Sequence, residues 1–178
     1  MRVLCWNSIV NPRYILLSGF WFEDNVASTW INIYGFCNLN DQFRLWEELY
    51  ELKKSWPQPW IVGGDFNAVR SKKERRGQGD RDAGIQEFNL FIDKCNLVEV
   101  PLVGRKFTWI GPGKRRSKLD RFLVDAAWFQ TKDDLTLSGL NRNVSDHIPI
   151  LLASWCINWG PKPSNSLMSG FLIRTVSR

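Results

Sequence analysis

Trp60-Ile61-Val62-Gly63-Gly64-Asp65-Phe66-Asn67 is the stretch that decides how this chain folds. Three apolar residues run into two glycines, and two short polar side chains then flank a Phe. The apolar run predicts a buried strand, and the glycines predict a sharp turn at its C-terminal end. Alternation along the strand puts Asp65 and Asn67 on one face and Phe66 on the other. A carboxylate that aligns or deprotonates water, beside an amide that hydrogen-bonds a developing oxyanion, suits phosphodiester hydrolysis. The same eight residues also read as a strand followed by an Asx-rich turn with no chemistry at all.

Working outward, apolar and turn-forming segments alternate in short steps. Met1 to Trp6 predicts a buried strand, with Asn7 just past its end and a turn at Val10-Asn11-Pro12. Tyr14 to Phe22 and Thr29 to Tyr34 predict strands, separated by a loop at Glu23-Asp24-Asn25. Asn40 or Asp41 caps a helix whose stripe is Phe43, Trp46, Leu49, Tyr50 and Leu52. A second helix spans Ala83 to Cys95. Strands follow at Phe107 to Ile110, Leu119 to Val124, Leu135 to Leu137 and Ile148 to Trp155, with a short helix at Asp125 to Gln130. The pattern predicts a layered α/β sandwich of two β-sheets flanked by helices, in one domain over residues 1–160. Residues 161–178 lack periodicity and read as a poorly ordered tail.

Composition narrows the classes. The chain has 178 residues, 44% of them hydrophobic, with ten Trp and eleven Phe, which argues for a real core over disorder. The net charge of +6 suits a polyanionic partner. Four scattered cysteines form no C-x-x-C pair, which argues against a zinc site and for a reduced, intracellular protein. No apolar run is long enough to span a bilayer, so no membrane partner is expected.

Polar residues gather at strand ends: Asn7, Asp65 with Asn67, Asp120, and Asp146 with His147, the only histidine in the chain. An imidazole beside carboxylates can move a proton near neutral pH, although a lone His in a turn also serves as a mere cap. Oxygen ligands from Asn and Asp suit Mg²⁺. Two basic runs, Lys72 to Arg76 and Lys114-Arg115-Arg116-Ser117-Lys118, read as phosphate contacts or as solvated loops.

Trp6-Asn7, Gly63-Gly64-Asp65-Phe66-Asn67, Leu119-Asp120-Arg121-Phe122-Leu123 and Ser145-Asp146-His147-Ile148-Pro149-Ile150 stand in the order seen in endonuclease/exonuclease/phosphatase domains. The chain resembles that family. More narrowly, Phe43 to Asn67, Phe107-Thr108-Trp109, Leu119 to Trp128 and Trp159-Gly160-Pro161-Lys162-Pro163 resemble the endonuclease domain of plant LINE-type (non-LTR) retrotransposon polyproteins. The resemblance covers residues 1–7 and about 29–163.

The resemblance implies a Mg²⁺-dependent phosphodiesterase, with Mn²⁺ as a substitute ion, that nicks DNA as a monomer in the nucleus. Asn7 and Asp146 would lie at the metal. Tyr34 and His147 would contact the scissile phosphate. Asp65 would activate water, Asn67 would steady the transition state, and Asp120 would fix the His147 tautomer. Lys114, Arg115, Arg116 and Lys118 would contact DNA.

One departure stands out. The family carries a metal-ligating Glu between the positions of Asn7 and Tyr34. Here that interval is short and holds only Glu23, which has none of the motif's neighbours. This implies a deletion between about residues 8 and 28 that removed part of one sheet. An inactive remnant that binds DNA weakly is therefore an alternative, and a phosphatase of small substrates is another.

Overall fold

The computed structural model describes residues 3–21, 25–77, 83–132, 135–142 and 144–154. Glu23 and the tail from 155 onward, including the predicted disorder of 161–178, lie outside the described residues.

The chain opens with β1 (Val3–Val10), β2 (Tyr14–Trp21) and β3 (Val26–Tyr34), then α1 (Leu39–Ser55) and β4 (Trp60–Asp65). A 3-10 turn (Lys72–Glu74) and β5 (Arg75–Arg76) lead to α2 (Ile85–Lys94), β6 (Leu97–Glu99) and β7 (Leu102–Val103). The remaining elements are β8 (Trp109–Ile110), β9 (Arg116–Ser117), β10 (Asp120–Asp125), α3 (Ala126–Gln130), β11 (Leu135–Gly139) and β12 (Ile150–Ser154).

Six strands form the main sheet in the order β1-β2-β3-β4-β10-β6, and a second sheet runs β12-β11-β7. A small ribbon, β5-β9-β8, caps one end. Strands β3 and β4 are parallel, which requires a crossover, and α1 supplies it. The Asn38 side chain accepts the Asp41 N–H at 2.9 Å and starts that helix.

Each face of the main sheet carries its own core. Leu45, Trp46 and Leu49 of α1 and Phe88, Phe91 and Ile92 of α2 pack on Leu16, Ile31, Ile33, Val62 and Phe66. On the opposite face Ile61, Phe122 and Val124 meet Leu137, Ile150 and Leu152 of the second sheet. The result is helices, sheet and sheet in layers, a mixed α/β sandwich as the pattern predicted.

Two sequence expectations need correction. Gly63 and Gly64 make no turn, because β4 runs through both. A Cβ on Gly63 would lie 2.3 Å from the Phe122 ring, and one on Gly64 (φ +136°) would lie 2.1 Å from the Ile33 carbonyl oxygen. The glycines admit close neighbours on both sides of the strand. The turn comes at Asn67, whose φ of 51° is left-handed.

The first strand is also neither buried nor finished at Trp6. It continues to Val10, with Leu4, Cys5, Trp6, Asn7, Ser8 and Val10 exposed. The reason for its length lies in the hairpin turn. Asn11 Oδ1 accepts the N–H groups of Arg13 and Tyr14, both at 2.8 Å, which sets Val10 opposite Ile15 and leaves Asn7 mid-strand.

Candidate active site

The site sits where β4 ends, β10 begins and the loop before β12 arrives. Asp65 and Asp120 are cross-strand partners in the β4/β10 ladder, and both are buried. Tyr34 pairs with Asp65 from the other side, in the parallel β3/β4 register, and stays about half exposed.

Asn67 folds back on Asp65. Its backbone N–H donates to Asp65 Oδ1 at 2.9 Å, and its Nδ2 donates to Asp65 Oδ2 at 3.2 Å and to the Gly35 carbonyl at 3.0 Å. The Asx turn and the predicted Asp65–Asn67 pair are thus the same structure. Phe66, between them, is fully buried in the helix-side core.

His147 enters from the second sheet. A bridge to Trp109 and the bond from the His147 N–H to Ser145 Oγ (3.0 Å) hold its backbone. Its Nδ1 lies 2.8 Å from Asp120 Oδ2, and its Nε2 lies 3.8 Å from Asp65 Oδ2. Ionised Asp120 only accepts, so Nδ1 carries the proton. Burial alone would lower the His147 pKa, but the Asp120 hydrogen bond and the charges of Asp120, Asp65 and Asp146 outweigh it and raise the value. Burial, then the Asp120 charge, push Asp65 up to about 6, partly offset by the Asn67 N–H. A carboxylate poised near neutrality is suited to general-base work.

Thr108, fully buried, was not singled out by the sequence. Its Oγ1 accepts the N–H groups of Leu119 and Asp120, each at 2.9 Å, and so fixes the start of β10. Nothing in a lone Thr announces such a role. Trp109 Nε1 donates to Asp146 Oδ2 at 2.7 Å and orients that carboxylate at the rim of the site.

Asn7 is not brought to the cluster. Its row across the sheet is Asn7, Ser18, Thr29, Trp60, at the opposite end of β4 from Asp65. Three strand spacings, roughly 14 Å, and five residues of strand, roughly 17 Å, separate the two. The described Glu residues also serve elsewhere. Glu47, Glu48, Glu51 and Glu87 lie on the helices, and Glu74 and Glu99 pair with Arg121. The all-oxygen shell expected from Asn7 and Asp146 therefore does not assemble for Mg²⁺. Asp65, Asp120 and His147 do bring two carboxylate oxygens and an imidazole nitrogen within 4.8 Å of one another. That mixed donor set suits Mn²⁺ better than Mg²⁺, which prefers an oxygen octahedron.

The second basic run divides. The turn carrying Lys114 (φ 64°), Arg115 and Arg116 is exposed, and it adjoins the site through the bond from the Ile110 N–H to the Asp146 carbonyl (3.0 Å). Lys118 instead turns inward and pairs with Glu99, so it is not presented to a ligand.

A model of the endonuclease/exonuclease/phosphatase family matches residues 7–147. The chain belongs to that family. No curated protein matches the sequence. Among solved structures, this family member is similar to the endonuclease domain of TRAS1, a telomere-specific non-LTR retrotransposon. The identity is 17% and the TM-score 0.58, over 81% of this chain and 66% of that one. It is also similar to the AP endonuclease LMAP of Leishmania major (16%, TM-score 0.57, 78% and 53% covered). A third similar structure is a mutant of Staphylococcus aureus beta toxin solved with bound magnesium ions (14%, TM-score 0.55, 78% and 56% covered). At these identities the likeness is one of fold, and the chain spans between 53% and 66% of the length of these structures.

Proposed function

We propose that this endonuclease/exonuclease/phosphatase domain is a phosphodiesterase that nicks DNA and derives from a non-LTR retrotransposon endonuclease. The observation that carries the reading is the hydrogen-bonded unit Asn67–Asp65 and Asp120–His147 at one sheet end. Asp65, held by Asn67, takes a proton from water as the water oxygen attacks phosphorus. Protonated His147 donates its Nε2–H to a phosphate oxygen, while Asp120 accepts from Nδ1–H and holds the ring. The phosphorus bond to the 3′ oxygen breaks, giving a 5′-phosphate and a 3′ oxygen that takes a proton from solvent to become a 3′-hydroxyl. Tyr34 stands beside Asp65 to contact the phosphate, and Lys114, Arg115 and Arg116 meet the flanking backbone. The reaction would depend on a divalent cation, and the donors present fit Mn²⁺ better than Mg²⁺.

A second reading, an inactive remnant, is favoured by the distance of Asn7 from the site and by the position of every described Glu in the helix layer or the Arg121 network. An internal deletion between about residues 8 and 28 accounts for that arrangement and for the chain's short span relative to its structural neighbours.

Nicking of supercoiled plasmid in Mg²⁺, in Mn²⁺ and in EDTA, with Asp65→Ala and His147→Ala, separates the two. Cation-dependent nicking lost in both variants supports the enzyme. A folded protein with no nicking in either ion leaves the remnant.

A further inference from the structure

Arg121 lies one residue beyond Asp120, on the opposite face of β10. Its side chain is wholly buried beneath the helix layer, 5.3 Å from the Phe88 ring centre. Burying a charge this deeply is costly unless it is paired, and the pairing here falls on the two terminal nitrogens, Nε being buried without a partner. Here Nη1 donates to Glu99 Oε2 at 3.1 Å and reaches Glu74 Oε1 at 3.5 Å. Nη2 donates to Glu74 Oε2 (3.1 Å), the Ala68 carbonyl (3.1 Å) and the Lys118 carbonyl (2.7 Å).

The two carbonyls give the arrangement its meaning. Ala68 follows Asn67 as the chain leaves β4, and Lys118 precedes Leu119 as the chain enters β10. The ladder between those two strands ends where Asp65 and Asp120 face each other. Between the same segments, the Phe66 N–H donates to the Leu119 carbonyl at 3.0 Å. Arg70 repeats the tie: its N–H donates to Glu74 Oε2 at 2.6 Å and its Nη1 donates to Glu99 Oε2 at 3.2 Å.

We infer that Arg121 is a positioning residue: by holding the Ala68 and Lys118 carbonyls on one nitrogen, it sets the spacing of Asn67–Asp65 against Asp120–His147. Arginine is required, because a planar fork answers two carboxylates and two carbonyls at once, whereas an ammonium is a single point. The catalytic arm of the test rests on the proposed phosphodiesterase reading, and the spectroscopic arm does not.

Arg121→Lys keeps the charge and loses the fork. Glu74→Gln removes the charge that fixes Nη2 and so loosens its hold on both carbonyls without abolishing it. Each variant is first melted to establish a cooperative fold. The His147 Nδ1–H proton resonance is then recorded by NMR, and because the chain has one histidine its assignment is unambiguous. In folded Arg121→Lys that resonance shifts or broadens away, and kcat for nicking falls on the order of 10²-fold with KM unchanged. Glu74→Gln shows a smaller change of the same kind. Wild-type resonance and turnover in folded Arg121→Lys overturn the inference. If Arg121→Lys does not fold, Glu74→Gln decides, and a wild-type resonance in that folded variant overturns it equally. A wild-type resonance without any nicking defeats the phosphodiesterase reading and leaves Arg121 to be judged by the resonance.

Discussion

Strands β1 and β4 lie in one sheet and begin alike, with an apolar run closing on a short polar residue, yet they end in opposite states. All six residues of β4 are buried. In β1, Leu4, Trp6 and Val10 are 57%, 49% and 72% exposed, and Ile15 and Leu17 of the adjoining β2 are nearly half exposed. The difference is one of neighbours. Strand β4 has β3 and β10 at its sides, helices on one face and the second sheet on the other. Among the described residues, β1 has only β2. An apolar run announces a strand but does not count what will cover it. Chemistry follows burial here. Asp65 meets Asp120 and His147 in a desolvated corner, while Asn7 Oδ1 accepts the next backbone N–H, that of Ser8, at 3.0 Å.

The largest expected effects fall at the β4 end. Asp120→Asn, which can no longer only accept from Nδ1, is expected to cut kcat for nicking by on the order of 10²- to 10⁴-fold, with the fold intact by circular dichroism. Phe66→Ala removes a ring buried against Trp46 and Phe88 and is expected to cost about 3–5 kcal/mol in urea unfolding. Gly63→Ala drives a methyl into the Phe122 ring and is expected to cost about 1–3 kcal/mol by the same measurement.

A pH series probes the same corner. Asp65 must be ionised to accept a proton, so nicking is expected to rise about tenfold per pH unit up to about 6. It should fall again as His147, whose pKa is raised, loses its proton. Stability runs the other way. Both groups hold protons more tightly folded than unfolded, so their contribution is complete below the unfolded Asp value. It declines as pH rises through about 6 for Asp65, and again above the usual histidine value for His147. Thermal melts of His147→Ala across pH 4 to 8 should lose the upper part of that decline. An unchanged profile would remove His147 from the account.

The smallest effects belong to the open edge. Asn7→Ala should leave both nicking and stability within about 0.5 kcal/mol of wild type, since distant sites do not couple. A large loss of activity would place Asn7 at the site after all and erase the contrast between the two strands. Trp6→Lys should change stability by less than about 0.5 kcal/mol while reducing self-association in light scattering, because a charged edge resists strand pairing.

Which polar residues lie together in the candidate cluster was partly legible in advance, because some of its parts are local. Asp65 and Asn67 are two residues apart, and Asp146 and His147 are adjacent, so each pair travels together whatever the fold. The strands and helices were legible for a similar reason: α1 and α2 carry their apolar stripes in their own periodicity, and β10 its own apolar run. Asn7 misled because its placement depends on a hairpin register that the Asn11 turn sets. Lys118 misled because a basic run does not say which of its members turns inward to Glu99. The long-range hydrogen bonds of Arg121 and Thr108 were invisible in the sequence, since their partners lie as much as 53 residues away.

By itself, then, the sequence determined the kinds of element, the layered α/β class and the pairs of polar side chains that short-range geometry keeps together. The tertiary structure decided which of those pairs met. It paired β4 with β10 at Asp65 and Asp120, delivered His147 across from the second sheet, and left Asn7 on an edge. The reason is that periodicity is a property of a few neighbouring residues, whereas register, burial and the partner of a buried charge are set by contacts between segments far apart in the chain.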